Sequence, residues 1–152
     1  CVAILLVKIN FLAIDFDLTM IDVHTGGTWK GTPMELASHV RPLFKQLVTE
    51  AAVNGGIKIA IVTFSPQVRN IGDVLKVTFP DFHDSIPIRG RDKSWTYEGG
   101  GSREGKQAYM ASAAEELGSI FPGEDFTKNS TLLIDDDVNN IKIALKDGVR
   151  AI

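Results

Sequence analysis

The sequence predicts an α/β fold, a three-layer sandwich with a central parallel sheet, and two observations carry that prediction. Short apolar runs rich in β-branched residues recur at 9–14, 57–62, 86–88, 131–134 and 149–152. Helical patterns separate them, and strands alternating with helices imply a parallel sheet covered on both faces.

Residues 1–7 are apolar but stop at Lys8, too short to span a bilayer and without the flanks of a secretory signal. They read as a buried strand or helix end. The first full strand, 9–14, delivers Asp15 and Asp17. Pro42 suits a first helical turn, and 42–52 places Leu43, Phe44, Leu47 and Val48 on one face before Asn54-Gly55-Gly56 stops the helix. The second strand, 57–62, ends at Thr63. Ser65-Pro66 opens a helix running towards Lys76, and 86–88 supplies a third strand. The stretch 91–101, with Gly99-Gly100-Gly101, reads as a mobile loop. A third helix is expected from near Ser102 to about Leu117, then the strand 131–134. A fourth follows Asp137 with Ile141, Ala144 and Leu145 inward, and Gly148 ends it before the last strand.

A chain of 152 residues accommodates one domain, expected to span 1–152. It opens on Cys and stops inside an apolar run, so terminal segments are expected to be missing. With 44% hydrophobic and 23% charged residues the composition is that of a folded globular protein. The net charge of -3 supplies no general attraction to nucleic acid or an anionic membrane, and neither is expected as a partner. Any phosphate ligand must be drawn in locally. One cysteine, Cys1, excludes an internal disulfide, and a cytoplasmic location is the expectation.

In open parallel sheets ligands collect at the carboxyl ends of the strands. Here those ends carry Asp15 and Asp17, Thr63, and Asp135 and Asp136, with Lys106 opening the third helix. Two carboxylates two residues apart on a strand lie on the same side and repel unless a cation or shared proton compensates them. Such a set holds a hard divalent cation, Mg²⁺ foremost, while a hydroxyl and an ammonium hold phosphate oxygens. Each piece has a plain reading too: Asp17 as a turn cap, Asp135-Asp136-Asp137 as a helix N-cap, Lys106 as a surface lysine rivalled by Lys93 and Arg103. Gly100 to Lys106 fits the opening of a phosphate-binding P-loop, but Gln107 replaces the required hydroxyl residue and no clear strand precedes the glycines.

Taken together, DFDLT at 15–19, IVTFS at 61–65, the Lys at 106 and LLIDDDVNN at 132–140 resemble, in order and strand context, the four motifs of the haloacid dehalogenase (HAD) superfamily. The resemblance runs from about Phe11 to Ile152 and implies that superfamily's Rossmann-like fold. It also implies that Asp15 is the nucleophile, forming an aspartyl-phosphate, and that Asp17 is the general acid and base. An acidic residue at that second position goes with phosphate chemistry rather than dehalogenation. Thr63 and Lys106 would bind the phosphoryl group. Asp15, Asp17 through its carbonyl, and Asp136 would bind Mg²⁺, with Asp135 behind them or as alternate, and Thr19 would orient the Asp17 loop.

Family members usually carry a cap inserted between the first and second or the second and third motifs, and both intervals here are too short for one. A capless magnesium-dependent phosphatase is implied, acting on a phosphorylated protein or small molecule, its open site either exposed or roofed by a partner subunit. Residues 21–32 would form a flap in which His24 touches substrate. Trp95 and Tyr97 are candidates to stack on a phosphorylated ring, and Arg89 and Arg91 to grip an anion, against plain roles as loop anchors and surface charges. Two rival readings are a phosphoacceptor regulatory domain and a phosphate-binding pseudoenzyme. The first places its acidic pair early and its acceptor mid-chain, the reverse of the order here, and the intact Asp15, Asp17, Thr63 and Asp136 argue against the second.

Overall fold

A computed structural model describes residues 8–54 and 56–152; the apolar run 1–7 lies outside the described residues. Five strands pair in parallel: β1 (Phe11–Ile14), β2 (Lys58–Val62), β3 (Ile88–Arg89), β4 (Thr131–Ile134) and β5 (Arg150–Ala151). Their order is β3-β2-β1-β4-β5, with β1 at the centre and buried throughout. Ile14 pairs with Ile61 on one side and Ile134 on the other, so Asp15 and Asp135 leave the sheet side by side.

The two-residue period of a strand sorts the core into two layers. Leu12 and Ile14 of β1 and Ile59 and Ile61 of β2 face α1 (Pro33–Ala37), α2 (Pro42–Asn54) and α3 (Val68–Thr78), packing on Leu36, Phe44, Val48, Ile71 and Leu75. Phe11, Ala13, Ala60, Val62 and Leu133 face α4 (Gln107–Ile120) and α5 (Val138–Lys146), against Met110, Ala113, Leu117 and Ala144. This is the expected three-layer α/β sandwich. Among the described residues, no helix is long and apolar enough to cross a membrane.

Several expectations shift. Strand β3 is two residues long and begins at Ile88, while Ile86 packs in the core ahead of it. Helix α4 starts at Gln107 rather than near Ser102, because the chain turns through Gly105 at φ +52 first. Leu43 is 66% exposed and Leu145 54% exposed. On α5 the buried positions are Asn140 and Ala144, four apart, and the following residue is rotated about 100° from that stripe. Helix α1 was not expected at all; Thr32 and Glu35 close a capping box on it, with Pro33 in the first turn.

The loop 91–101 has no regular structure, yet contacts tie it to the body. Trp95 Nε1 donates to Gly90 O at 2.7 Å, and its ring meets Tyr109 of α4 edge-on at 4.7 Å. Arg103 stacks on Tyr97 and donates to the carbonyls of Tyr97 and Gly99.

Candidate active site

Asp15 is still in the sheet ladder, its N–H donating to Ile134 O at 2.9 Å. Beyond it the chain makes a wide turn, Phe16–Met20, with Leu18 in the left-handed region at φ 57. Met20 N–H returns to Asp15 O and Ile21 N–H to Phe16 O, a five-residue reach that a standard helical turn does not make. Arg41 fastens the turn by donating to the carbonyls of Thr19 (2.9 Å) and Leu18 (3.3 Å).

That turn carries Thr19 beneath the carboxylates. Its Oγ1 accepts the Asp136 N–H at 3.1 Å and lies 3.0 Å from Asp15 Oδ2 and 3.3 Å from Asp136 Oδ1. At the end of β4, Asp135 Oδ1 accepts the Asp137 N–H at 2.9 Å and Oδ2 accepts Asn140 Nδ2 at 3.2 Å. Asp137 alone is the helix N-cap, its side chain accepting the Asn139 N–H. Asp135 and Asp136 face the site.

Lys106 is the N-cap residue of α4 and only 1% exposed. Its ammonium donates to Asp15 Oδ1 and, at 2.8 Å, to Asp135 Oδ2. Neither rival lines the cleft: Lys93 is exposed at φ 64, and Arg103 is committed to the loop carbonyls. The P-loop reading fails as well, because Lys106 turns to carboxylates and the Gln107 side chain donates to Asp147.

Asp15, Asp135 and Asp136 each present an oxygen, and these atoms all lie within 4.8 Å of one another. One ammonium pairs with two of the three carboxyl groups and leaves Asp136 unmatched by it, so the cluster keeps an excess of negative charge. Burial pushes the Asp15 carboxyl up to about 7; Lys106 draws it down, and Asp135 and Asp136 push it up. An oxygen-only set with uncompensated charge fits a hard dication such as Mg²⁺.

Around the cluster lies an open cleft of about 450 Å³, lined also by Asp17, Leu18, His24, Gly26, Gly27, Thr63, Phe64, Ser65 and Pro66. Thr63 is buried, and its Oγ1 accepts the Ser65 N–H at 3.1 Å, leaving its own proton free to donate. Asp17 lines the cleft with its carboxylate turned to the flap, accepting from Thr25 Oγ1 at 2.8 Å and Thr25 N at 3.1 Å. His24 is exposed at the rim, Nδ1 3.4 Å from Asp17 Oδ2.

None of Trp95, Tyr97, Arg89 and Arg91 lines this cleft. The two aromatics anchor the loop. Arg89 binds Ser112 Oγ at 2.9 Å and Glu116 at 3.4 Å on α4, and Arg91 lies over the Phe64 ring, 4.7 Å from its centroid. Conversely, Asn140, Arg41, Thr25 and Gln67 shape the site without having been singled out. Asn140 stands inside DDDVNN; the others have no local spacing to mark them.

No protein-family model matches the chain, and no curated protein does. Solved structures do resemble it. An uncharacterized protein from Corynebacterium glutamicum is 17% identical, over 95% of this chain and 84% of that one, with a TM-score of 0.55. The HAD domain of the Legionella pneumophila effector Lem4 is 14% identical, over 95% and 84%, at 0.51. The N-terminal part of BF1531 from Bacteroides fragilis, which contains a phosphatase domain and is complexed with Mg, is 14% identical over 95% of this chain and 36% of that one, at 0.51. At such identities the likeness is one of architecture, and it agrees with the order of the motifs: the chain has the fold of the haloacid dehalogenase superfamily.

Proposed function

We propose that this protein is a Mg²⁺-dependent phosphomonoester phosphatase of the HAD type, working through an aspartyl-phosphate on Asp15. The observation that carries the reading is the buried Lys106 ammonium set between Asp15 and Asp135, with Asp136 completing a three-carboxylate cluster at the strand ends. The structural likeness to a phosphatase domain complexed with Mg supports it.

Asp15 and Asp136, with the Asp17 carbonyl, would hold Mg²⁺, and Asp135 would stand behind them. The ion would supply positive charge that lets an anionic carboxylate approach an anionic phosphate. In the first step an Asp15 carboxylate oxygen bonds to phosphorus as the ester P–O bond breaks, and the departing oxygen takes the Asp17 proton. In the second, Asp17 takes a proton from water, the water oxygen bonds to phosphorus, and the P–O bond to Asp15 breaks to release inorganic phosphate. Thr63, with its lone pair occupied by the Ser65 N–H, donates its hydroxyl to the phosphoryl group. Lys106 orients Asp15 and balances charge gathering on the phosphoryl oxygens.

The cleft is open, and we read it as capless, so the phosphate of a large molecule such as a phosphoprotein reaches Asp15 as readily as that of a small one. Hydrolysis of an aryl phosphate, with and without chelator and with Asp15→Asn as control, tests the proposal. Turnover that needs the metal and vanishes in the variant is expected; metal-independent turnover or full activity of Asp15→Asn overturns it.

A further inference from the structure

Asp17 is not left to find its own orientation. The flap turn 25–28 has Gly26 and Gly27 in the left-handed region, φ +65 and +82, and closes with Thr28 N–H on Thr25 O. This presents Thr25 to Asp17 with both its N–H and its hydroxyl. The polarity of that hydroxyl is set from behind. Gln67, which precedes α3, donates Nε2 to Thr25 Oγ1 at 2.5 Å, and the Gly27 N–H approaches the same oxygen at 3.3 Å. With its acceptor capacity used by those two donors, Thr25 Oγ1 can only give its hydrogen to Asp17.

The Gln67 amide is fixed in turn. Its Oε1 accepts the Trp29 N–H at 3.0 Å and Asn70 Nδ2 at 3.3 Å, which leaves Nε2 facing Thr25. The hydrogen-bond chain therefore runs one way, from Trp29 and Asn70 through Gln67 and Thr25 to the carboxylate. Thr25 N–H falls on Asp17 Oδ2 at 3.1 Å, and the Thr25 hydroxyl lies 2.8 Å from Oδ2 and 3.0 Å from Oδ1, so the flap fixes the plane of the whole carboxyl group.

We infer that Thr25 and Gln67 are positioning residues that orient Asp17 for proton delivery to the leaving oxygen, an inference that rests on the phosphatase reading above. Neither touches phosphorus or the cluster of three carboxylates. Their contribution is confined to the proton-transfer partner, and in the first step, transfer of the phosphoryl group to Asp15, it is needed in proportion to how poorly the leaving group departs unprotonated.

Two substrates of nearly equal size separate this from a general structural role: p-nitrophenyl phosphate, whose leaving group needs little protonation, and phenyl phosphate, whose leaving group needs more. Thr25→Val removes the hydroxyl, and Gln67→Glu replaces the donor with an acceptor that competes for the Thr25 hydrogen. Each is expected to lower kcat/KM, which reports the steps through phosphoryl transfer to Asp15, by about 10- to 100-fold on phenyl phosphate and much less on p-nitrophenyl phosphate. Thr25→Ser, which keeps the hydroxyl, retains the rate on both. In an Asp17→Asn background, Thr25→Val adds no further loss. Equal losses of kcat/KM on both substrates, additive losses with Asp17→Asn, or full phenyl phosphate activity in both variants overturn the inference and leave the phosphatase reading standing. Full activity of Asp15→Asn overturns the phosphatase reading, and the role inferred for Thr25 and Gln67 falls with it.

Discussion

Lys106 Nζ donates to Asp135 Oδ2 across 2.8 Å, with both side chains almost wholly buried, so an ion pair that water scarcely reaches joins the N-cap of α4 to the end of β4. The same ammonium reaches Asp15 on the neighbouring strand. It is the positive charge that lets two carboxylates leave the sheet together.

Removing that charge strands the carboxylates. Lys106→Met is expected to destabilise the metal-free protein by about 3–5 kcal/mol, the usual cost of breaking one side of a buried pair. Urea titration reads the loss, and added Mg²⁺ recovers part of it. On the phosphatase proposal, turnover is expected to fall by about 100-fold or more, because the developing phosphoryl charge would lose its donor. A urea midpoint unchanged by the substitution counts against the assignment.

The raised Asp15 carboxyl makes stability depend on pH in a stated direction. Its value is near 3.8 in the unfolded chain and about 7 in the folded one. Between those limits the folded state holds a proton that the unfolded state has released, so metal-free stability falls as pH rises from about 4 to about 7. Above that the penalty is complete. Mg²⁺, which favours the ionised carboxylate, therefore raises the thermal midpoint more at pH 8 than at pH 5, and Asp15→Asn flattens the profile. Calorimetry across that range checks the slope.

Asp136 is the exposed member of the cluster, and the contact its backbone N–H makes with Thr19 does not depend on its side chain. Asp136→Asn should therefore leave the metal-free fold unchanged while weakening Mg²⁺ binding by more than about tenfold. Titration calorimetry measures the affinity, and the loss of Mg²⁺-induced thermal stabilisation gives a second reading.

Two glycines contrast. Gly27 lies at φ +82, where an added Cβ would stand 3.1 Å from Pro66 Cδ, and Gly27→Ala is expected to cost about 1–2 kcal/mol. Gly123 has open space around it, and Gly123→Ala is expected to be neutral or to stabilise by about 0.4–1 kcal/mol. Thermal unfolding of the two variants side by side settles the contrast.

The sheet was legible because buried β-branched runs have few other destinations, and the site because parallel strands end together. Asp15, Thr63, Asp135 and Asp136 could be named from strand ends alone, with order and context linking them to a family. Lys106 was found one residue ahead of the helix expected to carry it, since Gly105 delays the helix by a turn that no periodicity announces. Helix α1 has five residues, too few for a repeat, although Thr32-x-x-Glu35 was present as a start signal. Arg89 was misjudged because its partners, Ser112 and Glu116, lie 23 and 27 residues away. Gln67 escaped notice for the same reason: its bond to Thr25 crosses 42 residues, and a lone glutamine before a helix has no distinguishing pattern.

The central place of β1 has a consequence for synthesis. Its neighbour β4 emerges late, and Thr19 and Asp136, which meet in the finished site, are 117 residues apart. Until the ribosome delivers β4, one flank of β1 is an unpaired hydrophobic edge, the kind of surface that chaperones shield and aggregates recruit. The nascent chain is thus most vulnerable while its carboxylate cluster is still unassembled, and the segment that completes that cluster is the same one that covers the edge.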